Sequence, residues 1–229
     1  MSSDPGVRIG RGRSADVFLL AHDRVLRRYR DGHDAASEAA VMQYLSSLGY
    51  PVPEVYDVSG PDIVMARLDG ATMLHTLGRQ PWRIGELASL LATLQRRLHA
   101  IAPLASMPTR FGERESVLHL DFHPDNVMLT SAGPMVIDFA SASAGPCGAD
   151  VAQSWIIMAT STIPGSLIGR LTGVVGRHQL IRAYLGASDV DEARAWLARV
   201  GVDRKLDVHT TDVERVRIDR LVARATVVG

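Results

Sequence analysis

The sequence predicts an α+β fold in two parts, a small β-rich N-terminal lobe with one helix followed by a mainly helical lobe. Two observations carry this. Short β-branched and apolar runs separated by Gly, Pro and Asp corners fill the first third around one helical pattern. Beyond Leu68-Asp69-Gly70 the hydrophobic period becomes helical.

VRIG and DVFLL read as strands flanking a Gly-rich turn, and DRVLRRYR follows the polar corner His22-Asp23. Asp34 is suited to cap a helix over AASEAAVMQYLSSLG, in which Ala39, Met42, Leu45 and Leu48 recur at helical spacing and Gly49 stops the run. Pro51 and Pro53 break the chain before two more strands, VYDV and DIVMARL. Ile84 to Ile101 forms an amphipathic helix with Leu87, Leu90, Leu91, Leu94 and Leu98 on one stripe. NVMLT and PMVID are strand-like and joined by Ser131-Ala132-Gly133. From Ala149 onward the pattern is helical, with interruptions expected near Pro164-Gly165 and Gly201. The expected division is residues 1–66 and 67–229.

Composition excludes several classes of function. Twenty-five basic residues balance 25 acidic ones, so no global charge steers the chain to nucleic acid or to an anionic membrane. The single cysteine, Cys147, rules out an internal disulfide and fits a reducing compartment; no motif surrounds it, and it reads as incidental. The N-terminus lacks an apolar signal-like segment, and the apolar run from Val151 to Ile163 is too short for a membrane span. A cytoplasmic location is expected. Oligomeric state is not legible.

The chemistry concentrates in VLHLDFHPDNVMLTSAGPMVIDFA, residues 117–140. Asp121, Asn126 and Asp138 are spaced by five and twelve residues on a loop and a hairpin. Phosphoryl transfer asks the protein for little covalent chemistry. It needs a hard cation held against the phosphates and a carboxylate to orient the acceptor hydroxyl. Asn126 and Asp138 supply oxygen ligands of the kind Mg²⁺ takes, which leaves Asp121 as the base.

His119-Leu120-Asp121-Phe122-His123-Pro124-Asp125-Asn126 resembles the HxDxxxxN loop of the aminoglycoside phosphotransferase and choline kinase-like families, small-molecule relatives of the protein kinases. Ile137-Asp138-Phe139 resembles their metal-binding segment, and Gly148-Ala149-Asp150-Val151-Ala152 the start of their following helix. Gly10-Arg11-Gly12-Arg13-Ser14-Ala15-Asp16-Val17 is similar to the glycine loop that covers nucleotide phosphates, with Ala15 in place of the third glycine.

The resemblance spans about residues 7–155 and implies a two-lobed protein kinase-like fold with ATP and Mg²⁺ bound between the lobes. It implies a small-molecule hydroxyl acceptor, with no nucleic acid or membrane partner. It assigns Asp121 as catalytic base and Asn126 and Asp138 as catalytic metal ligands. Gly10, Gly12, Ser14 and Val17 go to the phosphate loop, Arg27 and Glu38 to a phosphate-gripping pair, and Met65 and Arg67 to the adenine hinge. His119 is implied to brace the loop backbone, and Asp150 to support it from the next helix.

Two positions depart from the pattern. Arg27 stands where the families carry a lysine, and Ala140 where protein kinases have glycine. Arginine keeps the charge on a larger planar fork. It serves either an active nucleotide site or one that binds poorly. Because 24 of the 25 basic residues are arginine and only Lys205 is lysine, the change reads as a chain-wide bias.

Other readings of the same residues are a dinucleotide fingerprint at Gly10-x-Gly12-x-x-Ala15, a metallohydrolase using His119, Asp121 and His123, a compact atypical protein kinase, and a non-catalytic nucleotide-binding or interaction module. The first needs a helix where Asp16-Val17-Phe18-Leu19-Leu20 reads as strand. The second leaves Asn126 and Asp138 unexplained. The last would have no chemical need to retain Asp121, Asn126 and Asp138.

Overall fold

A computed structural model describes residues 6–12, 14–162, 167–208 and 210–227. It divides into two compact units, Met1–Thr72 with Val127–Ala142, and Met73–Asn126 with Ser143–Gly229.

The first unit is built on an antiparallel sheet of five strands: β1 (Val7–Arg11), β2 (Ala15–Ala21), β3 (Arg24–Tyr29), β4 (Val55–Ser59) and β5 (Asp62–Ala66), in spatial order β1-β2-β3-β5-β4. Strand β3 is central, with Arg27 opposite Val17 on one side and Ile63 on the other. Among the described residues of this unit the one helix, α1 (Ala36–Ser47), buries Ala39, Val41, Met42 and Leu45. Asp34 accepts the Ala36 N–H at 3.0 Å, so its carboxylate serves the first turn from one residue before the capping position, Ala35. At the other end Gly49 takes φ 73°, with Gly49 N–H bonded to Ser46 O and Tyr50 N–H to Leu45 O. This paired arrangement satisfies the last carbonyls and buries Tyr50 beneath them.

A second, three-stranded sheet, β6 (Ala71–Thr72), β8 (Val127–Thr130) and β9 (Gly133–Val136), belongs to the same unit. Strand β6 pairs with β8, and Val136 N–H reaches Pro51 O at 2.8 Å, so the hairpin is fastened to the N-terminal chain despite its distance in sequence.

The second unit holds α2 (Met73–Arg79), α3 (Ile84–His99), α4 (Cys147–Thr160), α5 (Leu167–Gly186), α6 (Val190–Leu206) and α7 (Asp212–Val227), with the short ribbon β7 (Ser116–Leu118) and β10 (Ser143–Gly145). Leu87, Leu91, Leu94 and Leu98 of α3 are all buried, while Leu90 lies only partly within that face. Helix α4 is buried along nearly its whole length and forms the centre of the unit. Among the described residues no helix is long and apolar enough to cross a membrane.

The interruption expected at Gly201 is not found. Gly201 is buried inside a continuous α6, and a Cβ there would lie 3.1 Å from Ile218 Cγ2 and 3.2 Å from Val222 Cγ2. The glycine lets α7 pack closely rather than ending its own helix. The expected break at Pro164-Gly165 lies outside the described residues. Strand β9 stops at Val136, short of the expected Asp138, because Asp138 adopts a left-handed φ of 68°.

Candidate active site

The catalytic-loop residues lie in the second unit, between β7 and a 3₁₀ turn at Pro124–Asn126. His119 is fully buried, and its Nδ1 accepts the Asp121 N–H at 3.3 Å. Its ring is spent bracing the loop, which removes it from a metal-ligand role. Asn126 donates from Nδ2 to the Asp121 backbone oxygen at 2.9 Å and to Asp121 Oδ2 at 3.2 Å. His123 closes the turn by accepting the Asp125 N–H, and its Nε2 lies 3.6 Å from Asp121 Oδ2. Asp125 is solvent-facing.

Asp121 keeps 27% of its side chain exposed. Burial works against its ionisation, but hydrogen bonding and charge from His123, with further positive potential from His119 and Arg204, hold its carboxyl well below the usual range. It is a persistent anion, reachable and held in place by Asn126.

Leu120, just before it, takes φ 59°, a conformation that costs a non-glycine residue about 1–2 kcal/mol. Asp150 holds it there. Its Oδ1 accepts the Leu120 N–H at 2.7 Å, and its Oδ2 accepts from His119 N–H at 3.2 Å, from Gln95 Nε2 at 2.9 Å and faces His99 Nε2 at 2.9 Å. Gln153 adds a hydrogen bond to Leu120 O. Burial opposes the charge on Asp150, yet His99 and Gln95 keep its carboxyl below the ordinary range.

Gln95, His99 and Gln153 are not among the residues that the sequence marks as part of the site. Gln95 and His99 lie four residues apart beside the leucine stripe of α3, and two polar residues at that spacing next to an apolar face were the available signal.

The remaining candidate residues lie in the first unit. Arg27, on β3, directs one arm of its guanidinium to Glu38 Oε1 and the other to Asp138 Oδ1, the latter at 2.6 Å. Tyr29 donates its hydroxyl to Glu38 Oε2 at 2.5 Å. Burial would lower the Arg27 pKa, but the two carboxylates raise it well above the ordinary value. Arg28, the adjacent cation, is taken by Asp62 through two hydrogen bonds of 2.7 and 2.6 Å. Arg27, not Arg28, is therefore the cation that faces Glu38.

Gly10 lies opposite Val17, where a Cβ would stand 3.4 Å from the valine Cβ, and at Gly12 a Cβ would stand 3.2 Å from Ala15 O. Gly12 N–H donates to Ala15 O at 2.8 Å, so β1 and β2 turn tightly there; β2 is a strand, which removes the dinucleotide-fingerprint reading. Ser14 O accepts the Arg30 N–H. Met65 is buried in β5 opposite Val25, and Arg67 N–H bonds Asp23 O at 2.8 Å.

The donor chemistry fits a hard divalent cation. In one unit both hydrogen bonds from the Asn126 amide go to Asp121, leaving the Asn126 Oδ1 for a metal, and in the other Asp138 uses Oδ1 for Arg27 while 38% of its side chain remains exposed.

Comparison with known proteins fits this geometry. The profile of the phosphotransferase enzyme family matches residues 6–116 and 103–197. The chain belongs to that family. A thiamine kinase of Salmonella paratyphi B (strain ATCC BAA-1250 / SPB7) is 27% identical over 225 residues, covering 84% of this chain and 75% of the relative. Among solved structures, a thermostable mutant of aminoglycoside phosphotransferase APH(4)-Ia in ternary complex with AMP-PNP and hygromycin B matches with a TM-score of 0.68 at 16% identity, covering 96% of this chain and 93% of the other. A choline/ethanolamine kinase family protein from Mesorhizobium loti matches with a TM-score of 0.58 at 16% identity, covering 98% and 88%. The fold is thus the α+β protein kinase-like fold. As a member of the family, the protein is an ATP-dependent kinase that transfers phosphate to a hydroxyl of a small molecule.

Proposed function

We propose that the acceptor is a small-molecule hydroxyl, on an aminoglycoside-like compound or a metabolite alcohol, and that Asp121 is the group that receives its proton. The observation that carries this reading is the state of Asp121: ionised, part-exposed, and fixed by Asn126 on a loop clamped by Asp150. A carboxylate so firmly ionised is a weak base. That suits phosphoryl transfer, whose loose transition state asks mainly for orientation of the hydroxyl and delays proton transfer until the bond to phosphorus is forming.

In this proposal residues 1–66 form the nucleotide-binding lobe and residues 67–229 the catalytic and acceptor-binding lobe. The backbone of Gly10, Gly12 and Ser14, with Val17 beside it, covers the phosphates, and Met65 and Arg67 border the adenine. Arg27, positioned by Glu38, supplies the phosphate-binding cation. Asn126 and Asp138 hold Mg²⁺, which would neutralise charge on the phosphate oxygens. No nucleic acid or membrane takes part, and the reaction runs in the cytoplasm.

The thiamine kinases among the relatives make thiamine the first acceptor to test, followed by aminoglycosides and a panel of small alcohols. Phosphorylated product should form from ATP only with Mg²⁺. Asp121→Asn should abolish transfer while leaving calorimetric ATP binding nearly unchanged. Asp138→Asn should weaken Mg²⁺-dependent ATP binding. Equal loss of binding and turnover in Asp121→Asn would refute the assigned role. Failure of ATP to bind with or without Mg²⁺ would show that Arg27 does not replace lysine.

A further inference from the structure

Apart from the phosphotransfer residues, the second unit contains a nucleophile with its own base. Cys147 is the only cysteine in the chain and the first residue of α4. Its Sγ lies 3.2 Å from Ser116 Oγ on β7. His99, the last residue of α3, hydrogen-bonds Cys147, and its Nε2 lies 2.9 Å from the fully buried Asp150 carboxylate. Thiol, imidazole and carboxylate thus stand in series, the order in which thiol nucleophiles are activated: a base within reach of the sulfur and a third group that orients the base.

Other features allow the sulfur to be used. Cys147 is partly exposed and lines a cavity of about 170 Å³ whose walls include Gln95 and His99 of α3, Val151 of α4, Ser188, and Glu192 of α6. The first turn of α4 adds the positive end of a helix dipole to the sulfur. The hydrogen bond from His99 pulls the thiol below its ordinary range, against burial and the opposing charge of Glu192, and Ser116 assists. The imidazole is correspondingly held towards its charged form: burial disfavours the charge, but Asp150 and Cys147 raise it to about 9. Arg96 and Asp189 are the other charged groups around the cavity.

We propose that Cys147 is a covalent modification site whose sulfur, served by His99 and oriented through Asp150, attacks small-molecule disulfides entering this cavity. The Cys147 sulfur bonds to one sulfur of the reagent as the reagent's S–S bond breaks. The sulfur attacks as a thiolate stabilised by the charged His99 imidazole, and the departing thiolate takes its proton from that imidazolium, which solvent then reprotonates. The disulfide is itself the oxidant, so one mixed disulfide and one free thiol are formed and no further electron acceptor is needed. The site is independent of the acceptor assigned above, since its chemistry needs neither nucleotide nor phosphoryl transfer.

The test uses the full chain, a chromogenic aromatic disulfide and intact-mass measurement. One adduct per chain is expected, forming at neutral pH about tenfold faster than with a free small thiol. Between about pH 8 and 6 the rate should fall much less than the roughly hundredfold drop of an ordinary thiol. His99→Gln should restore the steep pH dependence and slow the neutral reaction about tenfold. The pH profile of the unsubstituted protein decides the matter even if that variant does not fold. A rate that follows the free thiol across the whole pH range would overturn the proposal. So would a sulfur that reacts only in denaturant.

Discussion

Replacing Arg27 with methionine removes the single cation that joins Glu38 and Asp138. The Glu38 side chain is only 3% exposed and would keep just the Tyr29 hydroxyl as partner. Breaking one side of a buried ion pair in this way costs about 3–5 kcal/mol. Asp138, at 38% exposure, adds little because water screens it. Arg27→Lys should cost less, about 1.5–3 kcal/mol, since one ammonium can satisfy one carboxylate but cannot fork across two.

The three tryptophans, Trp82, Trp155 and Trp196, all lie in the second unit, so their fluorescence would not follow this change. Hydrogen exchange of the β3 amides would. At about 1.4 kcal/mol per factor of ten, Arg27→Met should lower their protection by about two to three and a half orders of magnitude. The double variant Arg27→Met/Glu38→Leu should recover much of the protection, because an apolar pair can replace a buried ionic one. Unchanged protection in Arg27→Met alone would refute the reasoning and show that Tyr29 suffices for Glu38.

Four further predictions concern the scaffold. The folded state raises His99 from 6.5 to about 9: burial disfavours its charge, but Asp150 and Cys147 outweigh it. Its stabilisation, about 3 kcal/mol, is therefore full below about pH 6.5 and lost as pH rises through 9. In urea titrations followed by tryptophan fluorescence, His99→Gln should fall well below the parent protein at about pH 6 and approach it near pH 9.5; a constant gap would count against the ion pair. Gly70→Ala should cost about 3 kcal/mol or more in thermal unfolding, because φ is 118° and the new Cβ would stand 2.2 Å from Leu129 O. Gly32→Ala, with φ 75° but open space around it, should cost only about 1 kcal/mol. Asp150→Asn replaces a four-donor acceptor with a group that can use one oxygen, and should expose the His119 and Leu120 amides to exchange while abolishing transfer.

The parts most legible in the sequence were those where chemistry depends on residue type at short range. The loop from His119 to Asn126 was announced by its spacing together with the matches at Ile137-Asp138-Phe139 and Gly148 to Ala152, and it closes on itself through His119, His123 and Asn126. The strands around Arg27 followed from short apolar runs between Gly and polar corners, whereas the Arg27–Glu38 pair was implied by the family resemblance. Less legible were features set by distant partners. Nothing in a leucine or an aspartate marks the left-handed backbone at Leu120 and Asp138, and Leu120 is held so by a carboxylate 30 residues away. Gly201 misled because a glycine that admits a neighbouring helix looks the same in sequence as one that ends its own. Cys147 looked incidental because its partners come from α3 and β7.

The clamp on Leu120 has a consequence during synthesis. A growing chain that has just emerged through Phe139 already contains Asp121, Asn126 and Asp138, but not Asp150. At about 5–20 residues per second, the interval between Leu120 and its clamp is roughly two to six seconds of elongation. During that time Leu120 can relax to an ordinary backbone conformation, and the reactive residues are present without their arrangement. The nascent chain thus carries Asp121, Asn126 and Asp138 before the backbone that presents the first of them is fixed, and α4 brings the carboxylate that fixes it.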